Sequence, residues 1–255
     1  MPYDLRPMPY DLRHLKGVRK ISALTAYDYL MAKVVDEAGI DIVLVGDSLG
    51  MVVFGARDTK EVTIEDMIRH TGAVMKGVKK AMVVCDLPLE SCVSVERVLA
   101  DARRVKDETG CNCMKIEGKP ELVRALVDAG FEVMGHTGLK PQEADSFKVQ
   151  KGDHILEEAR AIERAGASSV VIECVPADLG RKITDELKIP TIGIGAGPDC
   201  DGQVLVLPDM LGLNPEFKPK FLRKYADLHE VAKNAIERYK EDVEKGIFPS
   251  ASQSY

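Results

Sequence analysis

The chain has 255 residues, 45% of them hydrophobic and 30% charged, with a formal net charge of −6. That apolar content excludes a disordered chain, and the length suits one domain with a full core. Scattered Lys and Arg under a net negative charge give no field to attract nucleic acid or an anionic membrane, so the expected partners are small molecules. No apolar run approaches the roughly 20 residues that cross a bilayer, and the start lacks the ordered regions of a secretory signal, so the chain is read as cytoplasmic. Six cysteines, Cys85, Cys92, Cys111, Cys113, Cys174 and Cys200, lack paired zinc spacing and are read as reduced, mostly buried fillers.

The segment MPYDLR stands at residues 1–6 and again at 8–13. Two copies of a short polar segment cannot build a solenoid, so residues 1–19 are set aside as an N-terminal arm and 20–255 are taken as the catalytic barrel domain. From residue 21 onward, short β-branched runs alternate with longer amphipathic stretches. The pattern predicts a strand at 21–26, a helix at 28–38, a strand at 41–46, a helix at 64–77, a strand at 81–85 and a helix at 95–108. It continues with strands at 113–116, 131–135, 169–174, 191–195 and 203–207, and helices at 121–129, 154–165, 177–187 and 220–245. The strand runs are nearly all apolar, as strands covered on both faces are.

Punctuation agrees with these boundaries. Gly39, Gly130 and Gly166 each follow a helical run where a left-handed residue is expected, and Thr63 precedes a first turn carrying Glu65 and Asp66, the position of an N-cap. Eight βα-type repeats in a chain of this length predict the α/β class and a (β/α)8 TIM barrel, a single domain with an extra C-terminal helical segment. On the last helix, Leu228, Val231, Ala235, Tyr239 and Val243 fall on one stripe, read as a core-packing face, with an oligomer contact as the alternative.

Candidate strands run into carboxylates: Asp47 after 43–46, Asp86 after 82–85 and Glu117 after 114–116, with Glu173 near the end of a fourth. In a parallel barrel all four reach the C-terminal rim, where active sites of this fold are built. Two unit charges about 4 Å apart repel by roughly 4 kcal/mol at an effective dielectric of about 20, so such a cluster needs protons or a cation. An all-oxygen set favours a hard ion such as magnesium. For any one acid, an N-cap or a bridge to Arg is the simpler reading; three at equivalent strand ends favour the metal. Lys115 lies two residues before Glu117, so strand alternation points both side chains to one face, and a lysine there needs carboxylates or an anionic ligand.

Other features are weaker. Ser48, in the turn Gly46-Asp47-Ser48-Leu49-Gly50, offers a hydroxyl to a substrate carboxylate. His136 is a lone rim histidine whose simpler role is to hydrogen-bond behind the site. The stretch Gly193-Ile194-Gly195-Ala196-Gly197 is followed by Pro198, which breaks a dinucleotide fingerprint.

The sequence resembles the ketopantoate hydroxymethyltransferase family from about residue 21 to 250. The carriers are Leu24-Thr25-Ala26-Tyr27-Asp28-Tyr29, Val45-Gly46-Asp47-Ser48-Leu49-Gly50-Met51, Cys85-Asp86-Leu87-Pro88, Met114-Lys115-Ile116-Glu117-Gly118, Gly135-His136-Thr137-Gly138-Leu139, Ile172-Glu173-Cys174-Val175-Pro176 and Ile192 through Gly197. The resemblance implies that Asp47, Asp86 and Glu117 surround magnesium, that Asp47, Ser48, Asp86 and Lys115 form the substrate-binding set, and that Glu173 is the catalytic base. It further implies transfer of a hydroxymethyl group from 5,10-methylenetetrahydrofolate to 3-methyl-2-oxobutanoate through a magnesium-stabilised enolate. The product is 2-dehydropantoate, at the first committed step of pantothenate biosynthesis, and the assembly is a homodecamer of five dimers. The sequence departs from the family pattern after His136. Thr137 stands where members carry an aliphatic residue, and the connection at 141–152 is shorter than their glycine-rich one, a change expected to bear on how the site is covered.

Two other readings are distinguishable. A lyase or mutase of the phosphoenolpyruvate mutase and isocitrate lyase type shares the magnesium-enolate barrel, but usually carries a cysteine in a gating loop, and the connection after His136 has none. A barrel without catalysis, serving as a scaffold or sensor, would have no reason to keep the full set of metal, anion and base residues.

Overall fold

The computed structural model describes residues 12–144, 146 and 148–255. The duplicated segment lies outside the described residues, apart from the end of its second copy at Leu12 and Arg13.

Eight parallel strands close into a barrel in sequence order: β1 (Ile21–Thr25), β2 (Ile42–Val45), β3 (Met82–Asp86), β4 (Cys113–Glu117), β5 (Glu132–Gly138), β6 (Ser169–Glu173), β7 (Thr191–Ile194) and β8 (Gly202–Leu205). Closure is direct, with Ile21 to Leu24 of β1 in register with Gly202 to Leu205 of β8. The larger helices of the barrel unit are α1 (Tyr29–Glu37), α3 (Ile64–Gly77), α4 (Val95–Thr109), α5 (Pro120–Asp128), α6 (Asp153–Arg164) and α7 (Ala177–Glu186); a short α2 (Leu49–Val52) follows β2. The predicted α/β TIM barrel is therefore the observed fold. The chain separates into two compact units, one ending at Val206 and the other running from Leu207 to Tyr255. The second contains α8 (Leu207–Met210) and α9 (Leu228–Glu244). No helix among the described residues is long and apolar enough to cross a membrane.

Strand alternation decides what fills the barrel. Ile21 and Ala23, Ile42 and Leu44, Met82 and Val84, Cys113, Met134, Val171, Ile192 and Val204 form one buried cluster. Along each strand these are residues of one parity, the set that faces a common side in a period-two element. Continuing the same parity leads from Met82 and Val84 to Asp86, from Cys113 to Lys115 and Glu117, from Met134 to His136, and from Val171 to Glu173. The apolar floor and the polar top of the barrel are thus consecutive layers of the same inward-facing series.

Three expectations need correction. Leu12, in a short 3-10 turn (Leu12–Leu15), is buried in the barrel cluster, and Leu15 packs against it, so the fold reaches into the segment set aside as an arm. The C-terminal helix begins at Leu228 instead of residue 220, after a non-helical connection. No residue of that helix is buried, and Val231, Tyr239 and Val243 are exposed, so the stripe builds no core within its own unit.

Local chemistry explains the boundaries. Thr63 caps α3 in a reciprocal box with Asp66, and Gly39, Gly130 and Gly166 all have the positive φ anticipated for them. Gly138, at the end of β5, has a φ of 91°, and an added Cβ would run into the main-chain oxygen of Glu173. Only glycine lets these two strand ends approach so closely.

Asp36 ties α1 to the start of β3. Its buried carboxylate accepts the N–H groups of Lys79, Lys80 and Ala81 at 3.0, 2.9 and 2.8 Å. Burial opposes ionisation here, but the three backbone donors outweigh it and hold the carboxyl below the ordinary range. Replacing Asp36 by Ala strands these donors, and urea denaturation should register a loss of about 3 kcal/mol. Because the folded pKa is depressed, the stabilisation from this carboxylate is fully present above the unfolded value near 4 and should fade as pH falls through the folded value. The Asp36→Ala protein should therefore lose less stability than wild type on acidification below that point.

Candidate active site

Lys115 stands at the centre of the polar layer. It is 4% exposed on β4, and its ammonium donates to both oxygens of Asp86 on β3, at 2.8 and 2.7 Å. Adjacent strands in register place Asp86 beside Lys115, so the pair follows from strand pairing. Burial alone would push the lysine toward its neutral form. The Asp86, Glu117 and Asp47 carboxylates outweigh burial and raise its pKa, so it stays an ammonium.

The acids around it are crowded. The Asp47 main-chain N–H lies 3.4 Å from Asp86 Oδ2. Burial, then repulsion by Asp86, pushes the Asp47 carboxyl up to about 8. Burial also pushes Asp86 up, with the Lys115 ammonium pulling the other way. Both Asp86 oxygens accept from that ammonium, which favours an ionised pair.

A second chain of groups crosses the rim from β4 through β5 to β6. His136 Nδ1 lies 3.5 Å from Glu117 Oε1, and Nε2 lies 3.3 Å from Glu173 Oε2. These are ion-pair distances: neither ring nitrogen has a formed hydrogen bond among the described residues, nor has Glu117 Oε1. Burial and the Lys115 charge work against protonation of the ring. The two carboxylates prevail and push His136 up to about 9, while the histidine holds Glu117 below the ordinary range despite burial. Glu173 is the most open of the set, with 14% of its side chain exposed, against 3% for Glu117. Cys174 follows it with a φ of 49°, a left-handed conformation uncommon outside glycine and often found at functional sites.

Ser48 sits at the start of α2, with its hydroxyl 2.9 Å from the Tyr27 hydroxyl and no bond capping the helix. Thr137 faces away from the barrel interior and donates to Glu158 of α6 at 2.5 Å. Gln142, passed over in the sequence analysis, enters the polar layer from the connection after β5 and donates to Asp47 and to Leu87 O. His136 belongs to β5 instead of standing beyond the strand, which is why it faces inward. The six cysteines are free; all but Cys174 are buried, and Cys174 is partly so.

Four carboxylates, Asp47, Asp86, Glu117 and Glu173, therefore meet two cationic groups, Lys115 and His136. Carboxylates thus outnumber cationic groups by two, and burial followed by repulsion from Asp86 raises the Asp47 carboxyl. An all-oxygen, electron-rich set of this kind suits a hard divalent cation. Among the described residues no three His, Cys, Asp or Glu side chains converge as a ready-made cage. Magnesium does not require one, since it is commonly held by one or two carboxylates and completes its shell with water and substrate.

Fold and site together define an α/β-barrel enzyme with its polar centre on the rim where barrel strands end. Among solved structures, the barrel is similar to a phosphonopyruvate hydrolase in complex with oxalate and Mg++ (TM-score 0.63, 13% identity, covering 95% of this chain and 92% of that one). It is also similar to 2,3-dimethylmalate lyase, a member of the PEP mutase/isocitrate lyase superfamily (TM-score 0.62, 16% identity, covering 96% and 90%). Identities this low speak for a shared fold alone. The family model of ketopantoate hydroxymethyltransferase matches residues 9–251. The 3-methyl-2-oxobutanoate hydroxymethyltransferase of Syntrophus aciditrophicus (strain SB) is 51% identical, over 94% of this chain and 93% of the relative. The enzyme of that name from Moorella thermoacetica is 48% identical, over 92% of each. The chain belongs to the ketopantoate hydroxymethyltransferase family and is an enzyme of hydroxymethyl transfer.

Removing one member of the central pair leaves the other buried and uncompensated, at a cost of about 3 to 5 kcal/mol. Lys115→Met should therefore unfold at markedly lower urea than wild type. The double variant Lys115→Met with Asp86→Leu should regain much of the difference, which a double-mutant cycle would measure.

Proposed function

We propose that the chain transfers a hydroxymethyl group from 5,10-methylenetetrahydrofolate to 3-methyl-2-oxobutanoate, giving 2-dehydropantoate and tetrahydrofolate with one water consumed. The observation that carries this reading is the row Glu117, His136 and Glu173 beside the buried Lys115–Asp86 pair, on the open end of a barrel of this family. Asp47, Asp86 and Glu117 would hold magnesium, for which the surplus negative charge is the supporting feature. When bound, the ion would supply Lewis acidity worth several kcal/mol toward loss of a proton from the keto acid.

The residues divide the remaining work. Lys115, kept cationic by its carboxylates, and Ser48, joined to Tyr27, orient the anionic head of the keto acid, with Asp47 and Asp86 completing the substrate-binding set. Glu173, more open than its neighbours, takes the proton from C3 as general base. His136 stands against its Oε2 and limits the directions that carboxylate can adopt. The resulting carbanion equivalent attacks the one-carbon unit. Proton abstraction and carbon transfer are thus separable half-reactions, and the first needs no folate.

Family membership supports a cytoplasmic enzyme of pantothenate biosynthesis working as a homodecamer of five dimers. The alternative lyase chemistry has no counterpart residue, because the connection at 139–152 contains no cysteine.

The test follows both halves with magnesium present. Wild type should move labelled carbon from methylenetetrahydrofolate into 2-dehydropantoate, and folded, metal-loaded protein that makes no product overturns the transferase reading. In folate-free solvent exchange at C3, followed by NMR, Glu173→Gln should slow the reaction by about 100-fold or more, as expected for loss of a general base. Undiminished exchange in that variant would remove Glu173 from the role.

A further inference from the structure

The connection after β5 delivers one side chain into the polar layer, and its contacts are unusually complete. Gln142 is 3% exposed. Its side-chain nitrogen donates to Asp47 Oδ2 at 3.0 Å and to the Leu87 carbonyl at 2.9 Å, while its main-chain N–H donates to Glu117 Oε2 at 3.1 Å. A primary amide nitrogen has two hydrogens, and both find acceptors here. The opposite amide orientation would set an oxygen against two oxygens, so the hydrogen-bond network admits only this one.

The connection is built to hold that position. Leu139 donates its N–H to Glu173 O at 2.9 Å, and the N–H groups of Glu143 and Ala144 return to Lys140 O. Lys140 pairs with Glu158 at 3.0 Å, and the same Glu158 accepts from Thr137 on β5. The departure at Thr137 thus has a structural use: its hydroxyl fixes the carboxylate that fixes the root of the connection.

We propose that Gln142 is a positioning residue for the cation site, holding Asp47 and Glu117 in the orientation that receives a divalent ion. The proposal rests on the reading that Asp47, Asp86 and Glu117 hold magnesium. One carboxylate from the end of β2 and one from the end of β4 are bridged by a single residue. Gln142 engages one oxygen of each, Oδ2 of Asp47 and Oε2 of Glu117, while the other oxygen of Glu117 faces His136 Nδ1. Donors behind a ligating carboxylate fix its direction, and their removal typically weakens metal affinity by about 10- to 100-fold. Lys115 does not share this task, because its ammonium donates to the two oxygens of Asp86.

The experiment uses the full chain and Mn2+ as the probe, with free Mn2+ counted by electron paramagnetic resonance. Wild type should bind the ion, Asp47→Ala should lose it, and Gln142→Met should bind about 10- to 100-fold more weakly. In folate-free C3 exchange, Gln142→Met should need correspondingly more magnesium for half-maximal rate, yet approach the wild-type rate at saturation. If Gln142→Met does not fold, Gln142→Asn carries the same test, since it keeps the amide but is one methylene too short to span both acceptors. A Gln142 variant that unfolds at lower temperature yet binds Mn2+ as tightly as wild type overturns the inference and leaves the metal reading intact. Wild type without Mn2+ binding, or Asp47→Ala binding like wild type, overturns the metal reading and the inference with it.

Discussion

The buried pair between Lys115 and Asp86 is the interaction on which the rest of the site depends. It sets an ammonium among carboxylates in a layer that excludes most water, and neither partner could remain there alone at tolerable cost. Strand register brings the two together, since Lys115 and Asp86 are paired positions of β4 and β3. The same ammonium lowers the repulsion among Asp47, Asp86 and Glu117, and it works against protonation of His136. Site and fold are coupled through one pair of side chains.

The barrel stores its chemistry in the continuation of its core. Met82 and Val84 lead to Asp86, and Val171 leads to Glu173, with no change in the direction the strand faces. Residues beyond the strand ends then act on the first set from above. Gly138 allows β5 to close upon the Glu173 carbonyl, and Cys174 turns the chain sharply after the same residue. Glu173 is therefore confined by backbone on one side and by His136 on the other, while its carboxylate keeps the largest opening in the set. Rigidity of the support and exposure of the carboxylate are met by different parts of one residue.

Much of this was legible in the sequence because it depends on short-range repetition. Continuous apolar runs mark the strands, and two-residue spacing alone puts Lys115 and Glu117 on one face. The omissions have physical reasons. The four-residue helices α2 and α8 are too short to express a helical period. Leu12 is one apolar residue in a polar segment, and its burial depends on where the barrel floor lies. The exposed stripe of α9 has the pattern of a packing face, but pattern does not name the surface that covers it. Gln142 carried no local signal: its partners Leu87 and Asp47 are 55 and 95 residues away in the chain, and an isolated glutamine in a loop has no period.

The unequal count of acids and cations has a further consequence. A centre that lacks positive charge draws it from whatever source is at hand, and Asp47, held up to about 8, is the acid poised to take a proton in place of an ion. An arriving divalent cation would compete with that proton for the same oxygens.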